Sequence, residues 1–448
     1  MAMTPFKNKH KFKLTSFQTI IFGFLGAIGT GALLLMLPFA TVSGHHASFH
    51  DAVFTATSAT CVTGLVVQDT GTYWSMFGQF VILLLIQIGG MGVITIAGLI
   101  AIASGKKIGL MQRNVMKEAL SAKNVGGIVR LTSFIVKCTF LIELAGALLL
   151  FPVFYQEYGV ARGLWYAIFH SVSAFCNAGF DLMGVQSPYT SLCKYVSQPL
   201  VNIVIMLLII VGGIGFLTWE DIARNRWHMS KYSTQTKMIL FTTATLILVP
   251  AIFLFCCEFD GLALKDRIFA SLFQSITTRT AGFNTMELNG LSDVGKMMMI
   301  LLMLIGGSPG STAGGMKTTT IAVLLASAFA IFHQHEDTSV FRRRIAEETI
   351  RTASAIFMMY LILFLFGGCI LSMVEGLPLL DCLFETASAI GTVGLTLGIT
   401  TQLSLFSRYL LVALMFFGRV GGLTLIFATT RHLNTTRSHL PKDKINVG

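Results

Sequence analysis

The chain has 448 residues, 54% of them hydrophobic and only 12% charged, with a mean hydropathy of +0.74. Those proportions exclude an ordinary soluble globular protein and make a bilayer, rather than water, its solvent. The net charge of +11 is no argument for nucleic acid, because the cations sit in short segments between apolar runs.

A hydrocarbon core needs about 20 apolar residues per helix. Runs at 17–40, 76–103, 131–155, 200–219, 238–259, 294–332, 353–374 and 406–429 predict eight crossings taken in pairs. Lys7, Lys9, Lys11 and Lys13 precede the first run, and Lys106, Lys107, Arg113, Lys117, Lys123 and Arg130 follow the second. Arg224, Arg226, Lys231 and Lys237 follow the fourth, Arg342, Arg343, Arg344 and Arg351 the sixth, and Arg431, Arg437, Lys442 and Lys444 the eighth. The positive-inside rule makes these segments and both termini cytoplasmic. Segments within a pair carry Glu258, Asp260, Glu287 and Asp293 and face outward, with Lys194, Lys265 and Arg267 as exceptions. The first run is too long for a signal-peptide core and is expected to remain as an anchor. Cys61, Cys138, Cys176, Cys193, Cys256, Cys257, Cys369 and Cys382 show no metal-type spacing and read as free thiols.

Between the two runs of each pair lies a short amphipathic stretch ending in a glycine turn. The turns are Thr60-Cys61-Val62-Thr63-Gly64, Cys176-Asn177-Ala178-Gly179, Thr280-Ala281-Gly282 and Thr392-Val393-Gly394. Phe54, Phe169 and Phe384 are each followed by Ser58, Ser173 and Ser388 and then by the turn glycine; the third copy keeps Phe273 and Thr277 but reaches Gly282 one residue early. Stretches such as 51–59 and 380–390 are too short to span and suit re-entrant helices. Non-helical backbone at membrane depth persists only where protein buries it or where it lines water. Four glycine turns meeting on an axis meet that condition, and their carbonyls can replace an ion's hydration shell. One such turn alone carries little weight, since glycine is also a packing residue in membrane helices. The fourfold recurrence predicts an all-α polytopic protein of four tandem repeats around one pore, at 1–125, 126–230, 231–340 and 341–448.

The sixth run is too long for one crossing, and its middle contains Gly306, Gly307, Ser308, Pro309, Gly310, Ser311, Thr312, Gly314, Gly315 and Lys317. Glycine and proline at this density cannot continue a helix, so a broken helix with an intramembrane loop beneath the filter is expected, placed to gate it. The string is not a nucleotide-binding P-loop, because Met316 separates Gly315 from the lysine and no strand precedes it. Arg419 stands midway along the last run, where an arginine is costly unless it faces a cavity or partner. It is expected to bond the loop's carbonyls and add a positive barrier; snorkelling to the headgroups is the plainer reading. Lys317 reads equally as a loop anchor or as the loop's cytoplasmic end. Lys137 and Glu143 suggest a structural pair, Gly89-Gly90 and Gly212-Gly213 suggest tight helix packing, and His45, His46 and His50 suggest solvated histidines.

With Gly64, Gly179, Gly282 and Gly394 as filter glycines, the chain resembles the TrkH/KtrB/HKT superfamily of potassium transporters over essentially its whole length. The direct entry of the N terminus into the first repeat makes the KtrB membrane subunits the nearer match. The resemblance implies potassium uptake across a bacterial cell membrane and a homodimer with one pore per protomer. It also implies a cytoplasmic ring of RCK-type regulatory subunits binding ATP or ADP, and an arginine of the last helix beside the third-repeat loop. Serine at the first filter position accompanies sodium transport in some plant members, so Gly64 argues for potassium. Sodium as a coupling or activating ion is described for some members and stays open. No cofactor or metal beyond transported potassium is expected on this chain, no nucleic acid, and anionic lipid is the simplest partner for its basic segments. An alternating-access sodium/potassium or proton/potassium symporter is the competing reading, disfavoured by parallel repeats and by only one visibly broken helix. Neither a nucleophile with its base nor a paired-carboxylate site supports an enzyme.

Overall fold

The computed structural model describes residues 15–104, 108–122, 125–185 and 187–429. Lys7, Lys9, Lys11, Lys13, Lys106, Lys107, Lys123 and the cations from Arg431 onward lie outside the described residues.

Thr15 starts α1 (Ser16–Leu35) with a capping box: its hydroxyl accepts from the N–H of Gln18, whose side chain accepts from the N–H of Thr15. Ser48 caps α2 (Phe49–Thr60), which leads into the first glycine turn. Then follow α3 (Thr70–Tyr73), α4 (Met76–Met91), α5 (Val93–Ala103) and α6 (Leu110–Ala119). The 48 residues of α7 (Ile128–Phe175) double back at Gly159, whose φ of 75° is left-handed. Gly163 consequently packs on the backbone of Phe154 and Tyr155, so the first limb of α7 is the apolar span and the last limb the second short helix. The chain continues through α8 (Pro199–Gly213), α9 (Phe216–Asn225), α10 (Thr234–Cys257), α11 (Leu264–Thr277), α12 (Asp293–Leu304) and α13 (Thr318–Phe332). It ends with α14 (Glu347–Glu375), α15 (Leu379–Gly391), α16 (Leu405–Val420) and α17 (Gly422–Thr429), a two-residue hairpin (Ser339–Val340 with Arg343–Arg344) lying before α14.

The core is the reverse of a soluble protein's long-helix core. The short helices α2, the end of α7, α11 and α15 are its centre, and Phe54, Phe169, Phe273 and Phe384 are fully buried there. The long helices keep Phe22, Leu33, Leu141, Leu148, Phe241 and Phe366 exposed, as lipid contact demands.

Among the described residues four helices, α1, α7, α10 and α14, are long and apolar enough to cross a membrane, and the count rises to six when the bent pairs α4–α5 and α8–α9 are each taken as one. The difference from the eight expected crossings, of which only the sixth was expected to be broken, has one physical source. The second helix of every pair is interrupted, by bends of 94° and 95° in the first two and by the loop 305–317 in the third. Gly92, Gly215 and Gly421 carry φ of 85°, 95° and 86° at the breaks of α4–α5, α8–α9 and α16–α17, a backbone state open to glycine at little cost. More than one helix is therefore broken. The pairs Gly89-Gly90 and Gly212-Gly213 do pack tightly, a Cβ on Gly89 or Gly212 colliding with the carbonyl of Thr60 or Phe175, but they also stand three residues before a break.

Candidate ion pathway: filter and gate

In each turn the chain leaves its short helix through a left-handed residue two places before the glycine. Val62, Asn177, Thr280 and Thr392 have φ of 57°, 58°, 68° and 52°, and Gly64, Gly179, Gly282 and Gly394 have φ of 90°, 68°, 86° and 94°. Valine and threonine at positive φ are costly, about 1–3 kcal/mol each, and persist only where the surroundings hold them, whereas asparagine tolerates this region. The holding is visible. The N–H of Thr63, Ala178 and Val393 each bonds the carbonyl of Ser58, Ser173 and Ser388 at 2.8 Å, and that of Ala281 bonds Thr277 at 2.9 Å. The third bond closes over four residues instead of five, which absorbs the missing residue of that copy and leaves its glycine in register.

The four turns form a closed ring. A Cβ built on Gly64 would lie 2.5 Å from the carbonyl oxygen of Ala178, and one on Gly179 would lie 2.7 Å from that of Ala281. One on Gly282 would strike the carbonyl of Val393, and one on Gly394 that of Thr63. Each glycine thus faces the next turn's carbonyl, in the order first, second, third, fourth and back to the first. Cys61 and Cys176 are buried behind this ring, and Gly90 packs on the sulfur of Cys176.

Outside the ring is a cavity of about 140 Å³ lined by Gly64, Gly179, Gly282 and Gly394 together with Asp69, Asp181, Asn284, Thr396 and Thr400. On the inner side a second cavity of about 290 Å³ is lined by Gly90, Gly310, Ser311, Gly315, Lys317 and Arg419, and by no residue of the glycine ring. The loop 305–317 separates the two. Its Ser308 and Thr312 N–H groups bond the carbonyls of Gly213 and Gly212 at 3.0 and 3.3 Å, and the N–H of Gly315 bonds Gly418 at 3.1 Å. The Thr312 hydroxyl donates to the Phe175 carbonyl and Asn177 Oδ1, both at 3.1 Å. Gly314 lies against Thr392, and Gly306 and Gly307 close the base of the loop through bonds to Met316 and Thr318. Lys317 Nζ folds back on the Ala313 carbonyl at 2.8 Å. Arg419 donates to the carbonyls of Thr312 and Gly89, and to Gly90 at 3.2 Å.

These partners explain why every second helix is broken. A helix end leaves carbonyls without intrahelical donors, and here the loop and Arg419 supply the missing donors for Gly89, Gly90, Gly212, Gly213 and Gly418. A packing role alone does not account for the glycine pairs; the sequence signal for the breaks is the pair's recurrence in three units, Gly89-Gly90, Gly212-Gly213 and Gly306-Gly307, with Gly418-Arg419 at the matching place in the fourth, and a glycine three residues on at Gly92, Gly215 and Gly421.

One further expectation needs correction. Glu143 does not pair with Lys137, which is exposed on the same helix; its carboxylate accepts from Gln87 Nε2 at 3.0 and 3.2 Å behind the second turn. His45, His46 and His50 are exposed, as solvated histidines are, and two of them also bond locally, His46 with the Met36 carbonyl and His50 with the Tyr409 hydroxyl. All eight cysteines are free, and among the described residues no group of three or more His, Cys, Asp or Glu could hold a metal ion.

The model of the TrkH family, described as a cation transport protein, matches residues 3–439. The Ktr system potassium uptake protein B of Bacillus subtilis is 40% identical over 422 residues, or 93% of each chain. The potassium/sodium uptake protein NtpJ of Enterococcus hirae is 38% identical over 457 aligned positions and 100% of both chains. The crystal structure of the potassium transporter TrkH from Vibrio parahaemolyticus shares the fold, with a TM-score of 0.71 at 20% identity over 94% of this chain and 86% of that one. The whole-length match and the identity of these relatives place the chain in the TrkH family of cation transport proteins, a transporter and not an enzyme.

Proposed function

We propose that the chain is the membrane subunit of a potassium-uptake system, passing potassium through a backbone-carbonyl filter formed by 60–64, 176–179, 280–282 and 392–394. The observation that carries this reading is the closed ring in which each turn glycine faces the carbonyl of the next turn. Four turns that pack glycine against carbonyl leave no room for a side chain between them, and backbone carbonyls of such a ring can offer a cation what its hydration shell offers it. The names of the relatives from Bacillus subtilis and Enterococcus hirae support potassium as cargo, and the second of them supports a role for sodium.

On this reading the chain is four tandem repeats, at 1–125, 126–230, 231–340 and 341–448, making eight crossings in a bacterial cell membrane with both termini inside. The loop 306–317 and Arg419 form the gate. Its closed position is held by several backbone hydrogen bonds of about 1 kcal/mol each, so opening needs a partner that repays them. A cytoplasmic nucleotide-binding ring of the Ktr type acting on a homodimer fits that need, since the cytoplasmic connectors are short. Anionic lipid suits the exposed Arg342, Arg343 and Arg344.

The test is potassium flux into proteoliposomes of the purified chain, with external sodium varied and Gly64→Ser alongside. Potassium-selective flux that Gly64→Ser relaxes is the expected result. Folded protein whose flux ignores Gly64→Ser would overturn the filter. Flux saturating at the slow turnover of alternating access would favour the symporter.

A further inference from the structure

Each short helix places a polar residue directly after its buried phenylalanine: Thr55, His170, Gln274 and Glu385. All four are at most 1% exposed. Two of them reach no partner, the Thr55 hydroxyl and both amide atoms of Gln274 standing without a hydrogen bond. The first and third turns therefore form without any bond from this position.

The other two reach the outer limb of their own turn. His170 holds the Tyr166 carbonyl with Nδ1 at 2.7 Å, and its Nε2 faces the N–H of Leu182 at 3.3 Å, three residues beyond Gly179. The Leu182 N–H can only donate, so Nε2 is the bare nitrogen and Nδ1 carries the proton. Glu385 accepts from Thr396 Oγ1 at 2.9 Å and from the Thr400 hydroxyl. Thr396 Oγ1 in turn takes the N–H of Gly398 at 2.9 Å. Thr396 and Thr400 line the outer cavity beside Gly394. No cation pairs with Glu385 among the described residues.

A carboxyl group buried without a cation is a costly way to fill space, and an apolar side chain of that volume would serve packing better. Its two hydroxyl partners are what it is there to hold. The ring order places the second and fourth turns opposite each other, so the two latches brace the mouth from facing sides.

We propose that His170 and Glu385 are positioning residues for ion selection: they fix the outer limbs of the second and fourth turns, and with them the width of the filter's mouth. This rests on the carbonyl-filter reading above. Because carbonyls select by a held geometry or a held field, releasing either limb lets the ring accommodate a second cation size.

The potassium-to-sodium permeability ratio and the potassium concentration for half-maximal flux are measured in proteoliposomes. The variants are Glu385→Ala, Glu385→Gln, His170→Ala, the Thr396→Val/Thr400→Val pair, Thr55→Val and Gly64→Ser. Glu385→Ala and the threonine pair should each lower the ratio about tenfold, the effect of losing the two hydroxyl bonds that hold the limb. His170→Ala should lower it less. Glu385→Gln should stay within about twofold of wild type, because an amide can bond both hydroxyls. Thr55→Val, which loses no bond, should leave it unchanged. A wild-type ratio in Glu385→Ala, with Gly64→Ser relaxed, would overturn the proposal. An unaltered ratio in Gly64→Ser would overturn the filter reading instead. Should Glu385→Ala fail to fold, the threonine pair decides by the same criterion.

Discussion

The outer and inner halves of the molecule are held by different chemistry. Outside the filter, neighbouring units are joined through side chains. Trp165 Nε1 donates to Gln79 at 2.9 Å, Ser197 to Asp266 at 2.9 Å, Lys296 pairs with Asp381 at 3.4 Å and Arg408 with Asp51 at 3.2 Å. These bonds link the region around the start of one unit's second helix to the short helix of the next, from the first unit to the second and round to the first again. Below the filter the contacts of the loop are mostly between backbone N–H groups and the carbonyls freed by helix breaks. On the proposed reading, the outer half keeps a geometry and the inner half gives one up.

The largest effect should come from breaking the ring itself. An alanine at Gly394 would strike the Thr63 carbonyl and lie 2.9 Å from the Cα of Gly64, at a φ of 94°. Backbone strain alone costs about 1–3 kcal/mol, and selective potassium flux in proteoliposomes should vanish while the protein still purifies as a folded species. Retained selectivity in Gly394→Ala would mean that the ring is not the selective element.

Next in size is the inner half. Removing Arg419 takes a charge and its carbonyl bonds from the loop at once. Bonds from a charged donor contribute about 1.5–3 kcal/mol each, so Arg419→Ala should raise leak flux by about tenfold or more. Arg419→Lys should fall between, because a compact ammonium cannot span Thr312 and Gly89 as a planar fork does. A closed pathway in both variants would remove Arg419 from the gate.

The contrast between halves also marks what could be read in advance. Phe54, Phe169, Phe273 and Phe384 with their glycines repeat at nearly constant spacing, so the turns were legible; even the short third copy only moves a hydrogen bond by one residue. The breaks at Gly92, Gly215 and Gly421 were not. A glycine pair in an apolar helix looks the same whether it packs or precedes a bend, and only the position of the acceptor's partner distinguishes them. The partner of Glu143 was hidden for a similar reason: Gln87 lies on another helix, and spacing favours a neighbour on the same one. Proline and glycine density in 306–317 did announce a loop, but not that Thr312 and Gly315 would cap carbonyls of other units.

A smaller effect concerns the outer cavity's charge. Asp181 is half-buried on its wall. Burial above all, then the charge of Asp69, push its pKa up to about 7 against the lowering effect of the Met183 N–H. It is neutral below that pH and negative above it, and a negative wall concentrates cations at an entrance. The external potassium needed for half-maximal flux should therefore be about two- to threefold lower at pH 8 than at pH 6. Asp181→Asn should remove that dependence and keep the acid-side value throughout; an undiminished pH dependence in the variant would assign it to another group.

The smallest effect tests the belt. Arg408 pairs with Asp51 and also donates from Nε to the Leu403 carbonyl and from an NH2 group to Thr401, both at 3.0 Å. Its side chain keeps 21% exposure and that of Asp51 12%, so the pair is screened less than a surface bridge and desolvated less than a core one. Such a pair contributes about 1 kcal/mol, and removing one partner costs more than removing both because it strands the other charge. Thermal unfolding in detergent should thus rank Arg408→Ala below the double variant with Asp51→Ala, with selectivity almost unchanged in both. If instead Arg408→Ala alone relaxed the potassium-to-sodium ratio as Glu385→Ala is expected to, the mouth of the filter would be positioned by the belt between units, and the division between a selecting ring and its supporting frame would have to be drawn further out.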